Sequence, residues 1–123
     1  MMEQRLSRLK RYFDGQIALC DQRNKELLAD DRIDEAAFER VRANVYDIFR
    51  TVLSAAVKAC SGNPDAVQRF FVQKTEQIPA NWAAAYERAR QHDDAVQLQI
   101  EQIKLDTIRE IKESFSKLWE EAT

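Results

Sequence analysis

Glycine and proline are nearly absent from this chain of 123 residues, which holds two of each. An all-β fold needs a turn roughly every ten residues, and turns draw heavily on those two residue types, so their scarcity excludes it. Two cysteines are too few for a disulfide scaffold, and Cys20 and Cys60 lie among apolar helical neighbours as small buried hydrophobes do. They are expected to remain thiols in a reducing cytoplasm. Only one histidine is present, His92, and the residue three before it is Ala89. A di-iron bundle needs two Glu-x-x-His pairs, and a structural zinc site needs several Cys and His ligands in one place. No metal and no cofactor are expected.

Other absences narrow the field further. No apolar run approaches the roughly 20 residues needed to cross a bilayer. The N-terminus has a basic flank without the apolar core of a signal peptide, so the expected location is cytoplasmic. No glycine-rich phosphate loop and no hydrolase or kinase signature occurs. The acidic group Asp30, Asp31, Asp34 and Glu35 lacks the glycine and the closing glutamate of a calcium loop. Catalysis is therefore not expected. A net charge of −2 with 33% charged residues is also poor support for a general nucleic-acid binder.

What is present is helix-forming: Ala, Leu, Ile, Glu, Gln, Lys and Arg dominate. The spacing predicts an all-α, antiparallel helical bundle of four helices, three long (3–29, 35–60 and 79–121) and one short (64–77), in a single domain. In the first helix Leu6, Leu9, Phe13, Ile17, Cys20 and Leu27 recur at three- and four-residue steps. Gly15 interrupts them, which suggests a close neighbour or a slight bend. Asp34 suits the N-cap of the second helix, with Ile33 and Phe38 as a hydrophobic staple. Phe38, Val41, Val45, Ile48, Val52, Ala55 and Ala59 form its main row, with Phe49, Leu53, Ala56 and Cys60 beside it. Ser61-Gly62-Asn63-Pro64 ends that helix and starts the third, with Asn63 as N-cap and Pro64 at the first helical position.

Helix lengths then suggest an assembly. The stretch 79–121 would make a rod of roughly 60 Å, about the second and third helices end to end. The simplest packing has a three-helix core of 3–60 plus 94–121 and a helical hairpin of 64–92 projecting beyond it. Ile78-Pro79 would force an extended residue between tightly reversed helices, and the long helix would change packing partners near 91–94. In this packing Cys60 and His92 could be neighbours at the changeover, too few ligands for a site. The alternative folds the third helix back onto the bundle, giving a four-helix up-and-down form with the long helix bent near 91–94, at His92.

A projecting hairpin cannot bury Val67, Phe70, Phe71, Ile78, Trp82 and Tyr86 by itself. Large unpartnered apolar faces mark association, so those six residues are the candidate interaction site. The functional expectation is a non-catalytic helical interaction or scaffold protein, self-associating as a homodimer through the 64–90 hairpin or binding another protein. The alternative is a nucleic-acid-associated accessory or regulatory protein. It would use a basic end made of Arg5, Arg8, Lys10, Arg11, Lys58, Arg69, Lys74, Arg88 and Arg90.

Overall fold

The computed structural model describes residues 2–121, and every regular element among them is an α-helix. In order these are α1 (Met2–Ala29), α2 (Ile33–Ala59), α3 (Pro64–Gln77), α4 (Pro79–Gln91) and α5 (Ala95–Glu121). The all-α class follows from the composition. The segmentation differs at two points, and both have a physical cause.

The first is Ile78-Pro79. Ile78 is right-handed helical (φ −63°, ψ −46°) rather than extended, and its N–H still bonds the Lys74 carbonyl at 3.1 Å. α3 and α4 are therefore two halves of one kinked rod, not a hairpin. Proline supplies no N–H for the ladder and crowds the carbonyl four residues back, which bends the axis. The second point is His92–Asp94, where the expected long helix ends and the chain reverses. Asp93 is left-handed (φ 53°), the Asp94 N–H reaches back to the Ala89 carbonyl at 3.0 Å, and the Asp94 carboxylate caps α5 by accepting from the Gln97 N–H at 3.1 Å.

The same device closes all three reversals. After α1, Asp31 is left-handed and the Arg32 N–H bonds Leu27 O at 2.9 Å; after α2, Ser61 is left-handed and the Gly62 N–H bonds Val57 O at 3.2 Å. Each is the six-to-one bond that terminates a helix and turns the chain back. Asn63 caps α3 as expected, its side chain accepting from the Ala66 N–H at 3.1 Å. Asp34 does not cap α2. The helix begins at Ile33, Arg32 turns its side chain to Glu35, and Ile33 is 66% exposed, so there is no staple.

With the kinked rod running from Pro64 to Gln91, the molecule has four rods of nearly equal length: α1 has 28 residues, α2 has 27 and α5 has 27. They run up, down, up and down over about 40 Å. This is the fold-back arrangement, and the projecting hairpin does not occur. The end that holds Arg5 and Trp119, with the guanidinium 4.7 Å from the indole centre, is the lower end here. The α1–α2 and α4–α5 turns share the upper end.

One aromatic stack centres the lower half. Phe71 of α3 lies 4.1 Å from Phe115, 6.1 Å from Phe49 and 6.4 Å from Phe13, joining all four rods. Trp119 continues the stack at 5.3 Å from Phe115. Phe13, Phe49 and Phe71 are fully buried, as are Leu9, Ile111 and Val67. On α2 the row beside the main one is the more deeply buried, although Val45 of the main row is interior too. Phe49, Leu53 and Ala56 are interior, whereas Ile48, Ala55 and Ala59 of the main row are exposed. Gly15 has no neighbour within reach of a Cβ, so no helix approaches it closely.

Candidate functional site

Above the aromatic stack the rods part. α3 leans on α2, but beyond the Pro79 kink α4 packs along α5 instead, and the contact of Trp82 with Phe49 (6.4 Å) is its link to α2. The upper half is thus two hairpins, α1–α2 and α4–α5, with a wedge-shaped cleft of about 1050 Å³ between them. Leu27 of α1, Phe38 of α2, Tyr86 of α4 and Leu98 and Ile103 of α5 give the cleft its apolar surface. Gln99 and Gln102 supply amide groups along α5, and Glu35, Glu39, Arg42 and Asp106 supply charge. Phe38 lies two turns above buried Val45 on α2, and both it and Leu98 are only half-buried because they border the cleft, where no rod among the described residues closes over them.

The charged groups of the cleft already have partners. Glu39 is 5% exposed and accepts both of its bonds from Arg42 (2.8 and 2.6 Å), with Arg23 at 3.8 Å. Glu35 pairs with Arg32, and Asp106 accepts from Gln102 at 2.9 Å with Arg109 at 3.8 Å. Both of these carboxylates are about half exposed, 52% and 53%, so their pairs are weak and exchangeable.

A second polar assembly lies at the cleft's lower boundary. The Glu110 Oε2 accepts hydrogen bonds from the Tyr12 hydroxyl (2.5 Å) and the Tyr46 hydroxyl (2.7 Å), while Oε1 accepts from Ser114 at 2.8 Å. This ties α1, α2 and α5 at one level. Burial first, and the carboxylate acceptor second, hold both phenols well above the ordinary tyrosine range. Nearby, burial pushes the Cys20 thiol up, with Glu39 adding to the effect. Nothing in the spacing pointed to this trio, because Tyr12 and Tyr46 lie at the margins of otherwise apolar stripes.

The six residues expected to form one interaction face do not share one. Val67 and Phe71 are fully buried in the lower core. Phe70 lies under Lys74, 5.5 Å from its ammonium, and Ile78 and Trp82 pack half-buried against the core. Tyr86 alone lines the cleft. The proposed basic end is divided too. Arg5, Arg8, Lys10, Arg11 and Lys58 are at the lower end, with Lys10 and Lys58 flanking a groove where Arg50 bonds Asp14 and Asp47, each at 2.7 Å. Arg88 and Arg90 belong to the last turn of α4, at the upper end, where Arg90 pairs with Glu87. The lower half (2–15, 46–77 and 108–121) carries 11 basic and 9 acidic side chains, the upper half 8 and 12.

Cys60 and His92 occupy turns at opposite ends rather than one changeover, and both cysteines are free. Among the described residues, no group of three or more His, Cys, Asp or Glu side chains is placed to hold a metal ion. No helix among them is long and apolar enough to cross a membrane. No family, curated protein or solved structure matches the chain.

Proposed function

We propose that this protein is a non-catalytic helical interaction module that takes up an amphipathic helix of a partner protein in the wedge between its two hairpins. The observation that carries this is the wedge itself. Phe38 on α2 and Leu98 on α5 carry apolar surface into it, yet no rod among the described residues covers them. A helix about 10 Å across has a volume of roughly 400 Å³ per turn, so about two and a half turns match the cleft. Helix-in-groove recognition of this kind reads apolar anchors at helical spacing. The pairing of every carboxylate in the cleft argues against general acid–base work there.

Homodimerisation through the 64–90 segment has lost its support, since two of its six anchors are interior. The nucleic-acid reading retains one observation: Arg8, Lys10 and Arg11 are exposed at the start of α1, across from Lys58. Salt-dependent binding of a DNA or RNA duplex at that end would favour it.

Methyl-detected NMR with a model amphipathic helical peptide tests the proposal. Shifts should move at Leu27, Leu98 and Ile103 and stay fixed at Leu9 and Ile111. Movement confined to the lower half, or none, would remove the wedge as the docking surface.

A further inference from the structure

We infer that the helix received by the wedge is cationic, with lysine or arginine at positions about seven apart flanking its apolar face; this rests on the docking reading above. Charge is the discriminating feature. The upper half has four more acidic than basic side chains, and the two turns that bracket the cleft mouth carry Asp30, Asp31, Asp93 and Asp94, all exposed. Among the described residues lining the cleft Arg42 is the one cation, and its charge is matched by Glu39, whose two oxygens both accept from the Arg42 Nη1, so the pair adds no net positive charge. Glu35 and Asp106 remain, each about half exposed: Arg32 bonds both oxygens of Glu35, Arg109 stands off Asp106 at 3.8 Å, and at that exposure an incoming cation can compete for either carboxylate.

Their spacing sets the register. Glu110 and Tyr46 touch, which fixes the level of α5 against α2. From that level Glu35 lies eleven residues up α2 and Asp106 four residues up α5. At about 1.5 Å per residue the two carboxylates are about 10 Å apart along the bundle, the rise of seven helical residues. Cations at positions i and i+7 of a docked helix can reach both, while its apolar side chains meet Phe38, Tyr86 and Leu98. A second copy of this chain is a poor occupant, because an end-to-end dimer would bring two acidic ends together. Exposed Ile33 and Val96, each 66% accessible at that end, add apolar contact for a partner without altering its charge.

The test uses the full chain and two synthetic helical peptides with one apolar face, one with lysines at i and i+7 and its twin with glutamates there. Fluorescence anisotropy at about 50 mM salt should show the lysine peptide binding at least about tenfold more tightly, with the advantage shrinking at about 300 mM as screening shortens. The exposed double substitution Glu35→Gln with Asp106→Asn should bring the twins close to parity. Equal binding of the twins to the unaltered chain, or an advantage that survives that double variant, would overturn the charge inference alone. Leu98→Asp should abolish binding of both peptides. If it does not, or if neither peptide binds the unaltered chain, the wedge reading itself is overturned.

Discussion

The lower and upper halves of this bundle are built from the same four rods, yet they are filled differently. Below, large apolar side chains meet from all four rods: Phe13, Phe49, Phe71, Phe115 and Trp119, with Leu9, Leu53 and Ile111 between them. Above, Ile103 apart, the buried side chains are mostly smaller or polar. Ala36, Val45 and Ala89 are buried there, together with Asn24, Glu39, Glu101 and Thr107. The Asn24 amide donates to the Ala36 carbonyl at 2.7 Å, and the Glu101 Oε1 takes bonds from Gln97 and Lys104, while its Oε2 finds no donor among the described residues. A buried carboxylate oxygen without a donor is costly. One half therefore carries most of the stability and the other tolerates an open interior, as the proposed docking role would require.

The largest expected effect sharpens that contrast. Phe71→Ala removes the ring common to all four rods and should cost about 3–5 kcal/mol, whereas Phe38→Ala, at a half-covered site, should cost about 1 kcal/mol or less. Paired urea unfolding curves measure both, and equal losses would erase the distinction. Native-state hydrogen exchange should agree, with α4 amides exchanging sooner than those of α2 around Phe49.

Alkaline titration comes next. Because the folded chain keeps the Tyr12 and Tyr46 protons to higher pH than the unfolded chain does, stability is complete below about pH 10 and falls as pH rises above it. Each tyrosine contributes up to about 1.4 kcal/mol per pH unit there. Urea midpoints should change little through these groups between about pH 8 and pH 10, then fall steeply toward about pH 11 for the natural sequence and less steeply for the Tyr12→Phe, Tyr46→Phe double variant.

Glu110→Ala strands two tyrosine hydroxyls and should cost about 2 kcal/mol, with Glu110→Gln recovering part of it through its remaining carbonyl oxygen. Thermal unfolding monitored by circular dichroism reads both. The smallest effect has the opposite sign. Gly15→Ala, on an exposed helix face with open space at the Cβ position, should stabilise by up to about 1 kcal/mol.

Much of this was legible in the sequence. Helix class, the α1 and α2 spans and the Asn63-Pro64 start follow from local periodicity and capping, which act over a few residues. The course of the chain after Gln77 was not. Pro79 disfavours a helical residue before it, but packing of α3 and α4 on the rest of the bundle overrides that preference at Ile78. The true reversal falls at Asp93, a left-handed position where glycine would have been a plainer signal. Aspartate also tolerates that conformation, and both Asp31 and Asp93 are used this way. The candidate site was missed for the same reason. Tyr86 and Phe38 come together only once the last two rods are correctly divided, and a gap between helices leaves no mark in either one's periodicity.

An even number of rods also returns the described chain to its starting end, where Arg5 rests on Trp119. The covalent order of the two hairpins is then a matter of convenience. A short peptide bridging position 121 to position 2, with a cut opened between Ser61 and Asn63, would thread the same bundle as α3–α4–α5–α1–α2. Such a permutant puts the new ends beside the aromatic stack and leaves the opposite pole untouched.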